Sequence, residues 1–327
     1  MLAAGIVVAA ASGRPEGVAV TGQHSGEELP AAAEARMEEI RESGTWGSSL
    51  STAEFAAIRS VGFEPVGQVL GAAVYNIGYT GGYSCPGAWA GYGGFVTPAA
   101  SVTSVSGATS MGSFGPMVAT LYEARRTAIG RMVAECQELG GHGIVGVQLT
   151  IGSFPAGGLE FKAIGTAVRA PGEVSRREPF TSDLSGQDFA KLMLSGWAPA
   201  GLVLGISIGS RHDDWLTITQ TRWTSGNAEV HGYTDLINRT RHDARHQLER
   251  DVTRMGADGV VVQDMNVRVR ERECPMSEGR RDHIVEATII GTAIARFATK
   301  RREARTPLTI MSLDPQRRQA ARVRLGP

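Results

Sequence analysis

The sequence predicts an α+β fold built twice: two small tandem units, each a helix layer on a mostly antiparallel sheet, in the order helix, strand, helix, strand, strand. Three recurrences predict it. Leu139-Gly140-Gly141-His142-Gly143-Ile144-Val145 returns as Met255-Gly256-Ala257-Asp258-Gly259-Val260-Val261, a shift of 116 from 139 to 255. Ile164-Gly165-Thr166-Ala167-Val168 returns as Ile290-Gly291-Thr292-Ala293-Ile294, a shift of 126 from 164 to 290. Pro65-Val66-Gly67-Gln68-Val69-Leu70-Gly71 matches Pro199-Ala200-Gly201-Leu202-Val203-Leu204-Gly205, a shift of 134 from 65 to 199. With a duplication, each copy is a control on the other: a feature of the shared fold recurs, and an embellishment does not.

Each unit opens on a capping-box spacing, Ser51-x-x-Glu54 and Ser185-x-x-Asp188, in which the hydroxyl accepts an orphan backbone N–H and the carboxylate reaches back. Asp188 is short for that return bond. A short helix follows, through Phe55-Ala56-Ala57-Ile58 and Phe189-Ala190-Lys191-Leu192, and ends at Gly62 and Gly196. The first strand comes next, and its paired glycines mark a bulge or a close backbone approach. In the main helix, Leu121, Ala128, Met132, Cys136 and Leu139 map onto Ile237, Ala244, Leu248, Val252 and Met255, all on one apolar stripe. Gly140 and Gly256 terminate these helices. Two strands close each unit, Ile144 to Ile151 with Leu159 to Arg169, and Val260 to Val269 with His283 to Phe297. Stripe and strands must bury each other, which places the helix layer on the sheet.

The resulting division is an N-terminal extension 1–48, a first repeat 49–170 carrying a Gly/aromatic insert 76–116, a linker 171–184, a second repeat 185–298 and a basic tail 299–327. The insert contains Tyr79, Tyr83, Trp89, Tyr92, Phe95 and Phe114 but neither GxxxxGK[ST] nor any lysine, which excludes a P-loop and suits a covering or interface loop. Lys plus Arg and Asp plus Glu both total 33, so no global field points to nucleic acid or an anionic membrane. Residues 1–58 carry eight acidic against three basic side chains, and 299–327 eight basic against two acidic; both read as solvated tails, the alternative being that the complementary ends meet within one chain or between subunits. Three cysteines without CxxC spacing fit a reducing compartment. The apolar start Met1–Ala11 has no basic leader and is too short to cross a bilayer, so the expected location is the cytoplasm.

The turn between main helix and strand, with the following strand ending in Ile-Gly-Thr-Ala-Val/Ile, resembles the YbjQ-like family of small proteins described as heavy-metal-binding. The resemblance covers both units, about 51–170 and 185–298. It implies a compact α+β domain that assembles into rings, pentamers among single-domain relatives. Paired domains in one chain then imply a homo-oligomeric ring with an even domain count, such as six or ten, whose interfaces bury the open sheet edges. The implied cofactor is a divalent transition metal, with no agreed ligand set to carry over.

His242 and His246 form the sharpest local pattern, because histidines at i and i+4 lie one above the other on a helix and can share a divalent metal. Together with Glu249 they face away from the apolar stripe, and with Asp243 they resemble the zincin HExxH carrying Asp for Glu. The first repeat has Arg126 and Gly130 at the histidine positions, so the shared fold does not require the pair. Cys136 stands where Val252 stands and reads as a core side chain. Cys85 in the insert, and Cys274 with His283 beyond it in the second hairpin, are candidate soft-metal ligands. His142 and Asp258 read as partners for orphan backbone groups at the helix terminus. No Ser/His/Asp order, paired-carboxylate cleft or dinucleotide fingerprint is present. The expected function is a non-enzymatic, ring-forming protein that binds a metal or small ligand at subunit interfaces. The alternatives are a metal-dependent hydrolase using His242 and His246, and a scaffold recruiting partners through the insert or the basic tail.

Overall fold

The computed structural model describes residues 29–45, 47–76, 103–106, 114–155, 158–172, 178–273 and 281–297. All belong to one compact unit, 1–297. The basic tail, Cys85, Cys274 and most of the insert lie outside the described residues.

The elements are α1 (Ala31–Ser43), α2 (Thr52–Ser60), β1 (Glu64–Tyr75), β2 (Thr103–Ser106), α3 (Gly115–Glu138), β3 (Gly143–Ser153), β4 (Leu159–Arg169), β5 (Phe180–Thr181), α4 (Gly186–Leu194), β6 (Trp197–His212), α5 (Trp215–Gln220), α6 (His231–Arg254), β7 (Gly259–Glu273) and β8 (Arg281–Arg296). They form two four-stranded sheets, ordered β1-β4-β3-β5 and β2-β6-β8-β7. Both are antiparallel, except that β5 runs parallel to β3. The α+β class holds, and each half follows the order helix, strand, helix, strand, strand, with β2 added before α3 in the first and α5 before α6 in the second.

The halves agree in detail. β1 slips register against β4 between Pro65 and Gly67, and β6 against β8 between Pro199 and Gly201. β3 and β7 slip at matching places, Val145/Gln148 and Val262/Asp264. Ser51 makes the full capping box with Glu54, whereas Ser185 accepts the Asp188 N–H and Asp188 returns no bond to the backbone of Ser185. Gly71 and Gly205 are the close approaches: a Cβ at Gly71 would lie 1.8 Å from the Ala128 carbonyl oxygen, and one at Gly205 2.1 Å from that of Ala244. Each main helix therefore lies directly on its sheet at a glycine.

Leu121, Ala128, Met132 and Cys136 are buried on α3 against Val69 and Phe161, as are Ala244, Leu248 and Val252 on α6 against Val203 and Ile289. At the stripe ends Leu139 is half-buried and Met255 is 49% exposed, while Leu236, beside the expected Ile237, takes the deep position. One core spans both halves, since Leu202, Ile206 and Ile208 of β6 join the cluster around α3.

Several elements depart from the sequence reading. The strands β1 and β6 run several residues past Gly71 and Gly205. The acidic extension is not wholly a solvated tail: α1 seats Met37, 1% exposed, and sets Arg36 on buried Glu135 and Arg41 on Glu138 at 2.5 Å. Glu135 also accepts the Leu70 N–H at 2.7 Å, so an otherwise costly buried carboxylate acquires two partners. β2, from inside the insert, adds to the sheet of the second half alongside Ser207–Ser210. His142 and Asp258 do cap backbone groups, but at the ends of strands rather than at helix termini: His142 Nδ1 accepts the N–H of Ala170, just past β4, at 3.1 Å, and Asp258 that of Arg296, the last residue of β8, at 2.8 Å.

Candidate assembly interface

The segment read as a linker ends as a structural joint between the halves. Phe180 and Thr181 pair with Gly143 and Ile144 on the edge of β3. Beyond them, Ser182 N donates to the Ile144 carbonyl at 2.9 Å, Val147 N to that of Ser182 at 2.9 Å, and Gly146 N to that of Leu184 at 2.9 Å. On its other side the segment grips the second half. The hydroxyls of Ser182 and Thr292 share a 3.0 Å hydrogen bond, Asp183 N donates to Thr292 Oγ1 at 3.0 Å, and Thr292 donates its hydroxyl to the Asp183 carboxylate. Phe180, Leu184 and Phe189 then pack with Ile58, Phe63, Val145 and Val168, all buried. The Phe63 and Phe189 rings meet edge to face at 5.1 Å, a favoured aromatic geometry. Across the same junction, Tyr122 of α3 accepts the Ile206 N–H at 2.9 Å on the edge of β6.

Asp183 carries a pH dependence. Burial raises its pKa, the Thr292 hydroxyl and its own amide oppose that, and Asp264 adds to it. A carboxyl whose folded pKa is raised favours folding below the ordinary aspartate value near 3.9 and loses that contribution as pH rises through the folded pKa. Asp183→Asn, which keeps an acceptor for Thr292, is therefore expected to raise Tm at pH 7 and to leave it unchanged near pH 3.5. Thermal melts at the two pH values check this; an equal gain at both contradicts it.

At the far end of the second sheet, β7 has no such partner among the described residues. None of its 15 residues is buried, whereas β3 buries Gly143, Ile144, Val145 and Val147. Val262, Met265 and Val269 are 44%, 45% and 52% exposed. The apolar start of β7, Gly259-Val260-Val261-Val262, leaves one row of N–H and C=O groups unpaired among the described residues and is a template for pairing with another chain, whereas Arg268, Arg270, Glu271, Arg272 and Glu273 charge the far half of the strand.

Of the expected metal ligands, Cys85 and Cys274 lie outside the described residues, and His242, His246, Glu249 and His283 are placed as follows. His242 and His246 stand exposed on α6 with their Nε2 atoms 2.9 Å apart. Glu249 lies on the opposite ring nitrogen, 3.4 Å from His246 Nδ1, and accepts Arg245 Nε at 3.0 Å, so two donors converge rather than three. His283 lies in the last strand, as the repeat predicts. It is buried on β8, with its ring 4.3 Å from that of Tyr233, Nδ1 3.1 Å from Asp213 Oδ1 without hydrogen-bond alignment, and Nε2 3.4 Å from Glu271. Arg281 and His283 hold the Glu271 carboxyl below the usual range, and burial together with Asp213 raises the Tyr233 phenol above its own. Cys136 is buried, its thiol pushed up to about 12 by desolvation, as a core residue should be. Among the described residues no three His, Cys, Asp or Glu side chains form a group able to hold a metal. No described helix is long and apolar enough to cross a membrane.

Sequence reasoning missed the edge of β7, because nothing in a strand's own residues says whether a distant segment will cover it. The signal lay in the repeat, as residues 48–51 and 182–185 read Ser-Ser-Leu-Ser and Ser-Asp-Leu-Ser.

Residues 95–171 match the family profile YbjQ_1, described as "Putative heavy-metal-binding". The chain is 32% identical over 275 residues to the Encapsulin nanocompartment protein Rv1762c of Mycobacterium tuberculosis, covering 82% of this chain and 91% of that one. A UPF0145 protein of Clostridium perfringens is 52% identical over 48 residues, 15% of this chain and 45% of its own. No solved structure matches. From the profile match and these relatives, the chain belongs to the YbjQ-like family.

Proposed function

We propose that this protein is a non-enzymatic, self-assembling component of a protein nanocompartment, building closed rings from chains that each contribute two repeats. The observation that supports this most is the unpaired apolar start of β7, Gly259–Val262, whose counterpart at the start of β3 is covered inside the same chain. The relative named as an encapsulin nanocompartment protein matches nearly end to end, which favours a role in assembly for this chain as well. Surfaces that meet head to tail close into rings when the rotation per subunit divides the circle. Sedimentation equilibrium over a wide concentration range is expected to return a small integer multiple of 34.6 kDa. A single chain at every concentration overturns the proposal.

A second reading, a surface metal site, is favoured by the facing Nε2 atoms of His242 and His246. Zinc takes four ligands in structural sites, so two histidines leave positions for water or for a neighbouring chain. Calorimetric titration with Zn²⁺ is expected to show one ion per chain, lost when both histidines become alanine; undiminished binding by that variant contradicts the reading. The hydrolase alternative lacks such support, because the pair faces open solvent rather than a walled cleft that excludes water.

A further inference from the structure

The joint inside one chain is the template for the joint between chains. At the shift of 134, Ser48, Ser49, Leu50 and Phe55 stand where Ser182, Asp183, Leu184 and Phe189 stand. The inner half of the equivalence is already built. Ser48 and Ser49 hydroxyls lie 3.5 and 3.0 Å from Thr166 Oγ1, Ser49 N donates to Thr166 at 3.3 Å, and Leu50 N to Ser48 Oγ at 3.0 Å. These reproduce the bonds that Ser182 and Asp183 make to Thr292 and that Leu184 N makes to Ser182 Oγ. Thr166 and Thr292 are themselves repeat partners.

The outer half is built only once. Residues 182–184 spend their remaining backbone groups on β3, while Ser48 and the Leu50 carbonyl have no backbone partner among the described residues. The side chains show the same imbalance. Leu184 and Phe189 are buried where Leu50 and Phe55 are half-exposed, and Ile58, Phe63, Val145 and Val168 are buried where their counterparts Leu192, Trp197, Val261 and Ile294 are half-exposed. Leu50, Leu192 and Val261 touch the buried joint cluster from its margin, so the donor surface of the first half and the receiving surface of the second are each only partly buried within the chain.

Building on the self-assembly proposed above, we infer that residues 48–55 of one copy dock along the start of β7 and onto α4 of the next copy, as 182–189 dock along β3 and onto α2 within the chain. Ser48 pairs with the backbone around Val260 and Gln263, and Leu50 and Phe55 enter the face formed by Leu192, Trp197 and Val261. Thr52 replaces Gly186, which sits so close to Glu54 that a Cβ would meet the Glu54 Cβ at 2.8 Å, so the joint between chains opens slightly wider than the internal one. The interface is heterologous, because donor and receiver are different surfaces of the same molecule.

Two one-sided variants test this. Phe55→Asp disables the donor and Leu192→Asp the receiver, with Leu50→Asp and Val262→Pro as second variants at each face and circular dichroism confirming that each is folded. Alone, each folded variant is expected to fall from the assembled mass to a single chain. Mixed in equal amounts, they are expected to form a dimer and stop, because only one intact donor meets one intact receiver. Variants that keep the wild-type mass, or a mixture that forms no dimer, overturn the inference. If the wild type assembles and the variants assemble equally, the docking surface is wrong but self-assembly stands; a monomeric wild type removes both.

Discussion

Gly71→Ala is expected to cost about 3 kcal/mol or more of folding stability, a large share of the 5–15 kcal/mol typical of a domain. The added Cβ would lie 1.8 Å from the Ala128 carbonyl oxygen and 2.6 Å from the Met132 nitrogen. These are backbone atoms inside α3 and cannot rotate away, so helix and sheet must part along a core that includes Val69, Met132 and Phe161. Gly205→Ala should do the same in the second half, where the Cβ would lie 2.1 Å from the Ala244 carbonyl oxygen. Gly201→Ala is the control. Its Cβ would meet only the thioether of Met255, at 3.4 Å, and a half-exposed methionine moves readily, so the change should stay within about 0.5 kcal/mol. Urea denaturation of the three variants checks the order; a Gly71→Ala protein as stable as the wild type would show that α3 does not lie on β1 at that point.

Phe189→Ala is expected to cost about 3–5 kcal/mol, the usual range for removing a buried phenylalanine. Phe189 is fully buried, edge to face with Phe63 and stacked on Phe180 at 5.7 Å, at the centre of the joint between the halves. Phe55 holds the equivalent position at the start of the first half but is only half-buried within the chain. Phe55→Ala should therefore leave the chemical denaturation of the isolated chain within about 1 kcal/mol of wild type, while lowering the concentration range over which the oligomer persists. Equal folding penalties for the two substitutions would mean that Phe55 already has its full environment inside one chain.

The parts of the fold that are repeated were legible. The paired glycines predicted either a bulge or a close approach, and both occur, at Gly67 and Gly71 and again at Gly201 and Gly205. Cys136 could be placed in the core because Val252 occupies its position in the other half. What stood outside the repeat was harder to read. In α1 only Met37 is buried, so no apolar stripe announced the helix, although its Ala, Glu, Met and Arg content favours one. In β2, Thr103-Ser104-Val105-Ser106, a single valine gives no alternation, and the partner strand begins about a hundred residues later. The candidate interface was half legible. The Ile-Gly-Thr-Ala motif was visible, yet the serines that Thr166 and Thr292 hold lie more than a hundred residues away in sequence, and only folding brings them together.

The most direct measurement is the rotational symmetry of the assembled particle, seen by electron microscopy of the untagged protein. Head-to-tail docking of two-repeat chains predicts closed rings with an even number of similar lobes, and a rotational order half that number. A two-fold dimer with its two β7 edges back to back, or isolated single chains, would contradict it.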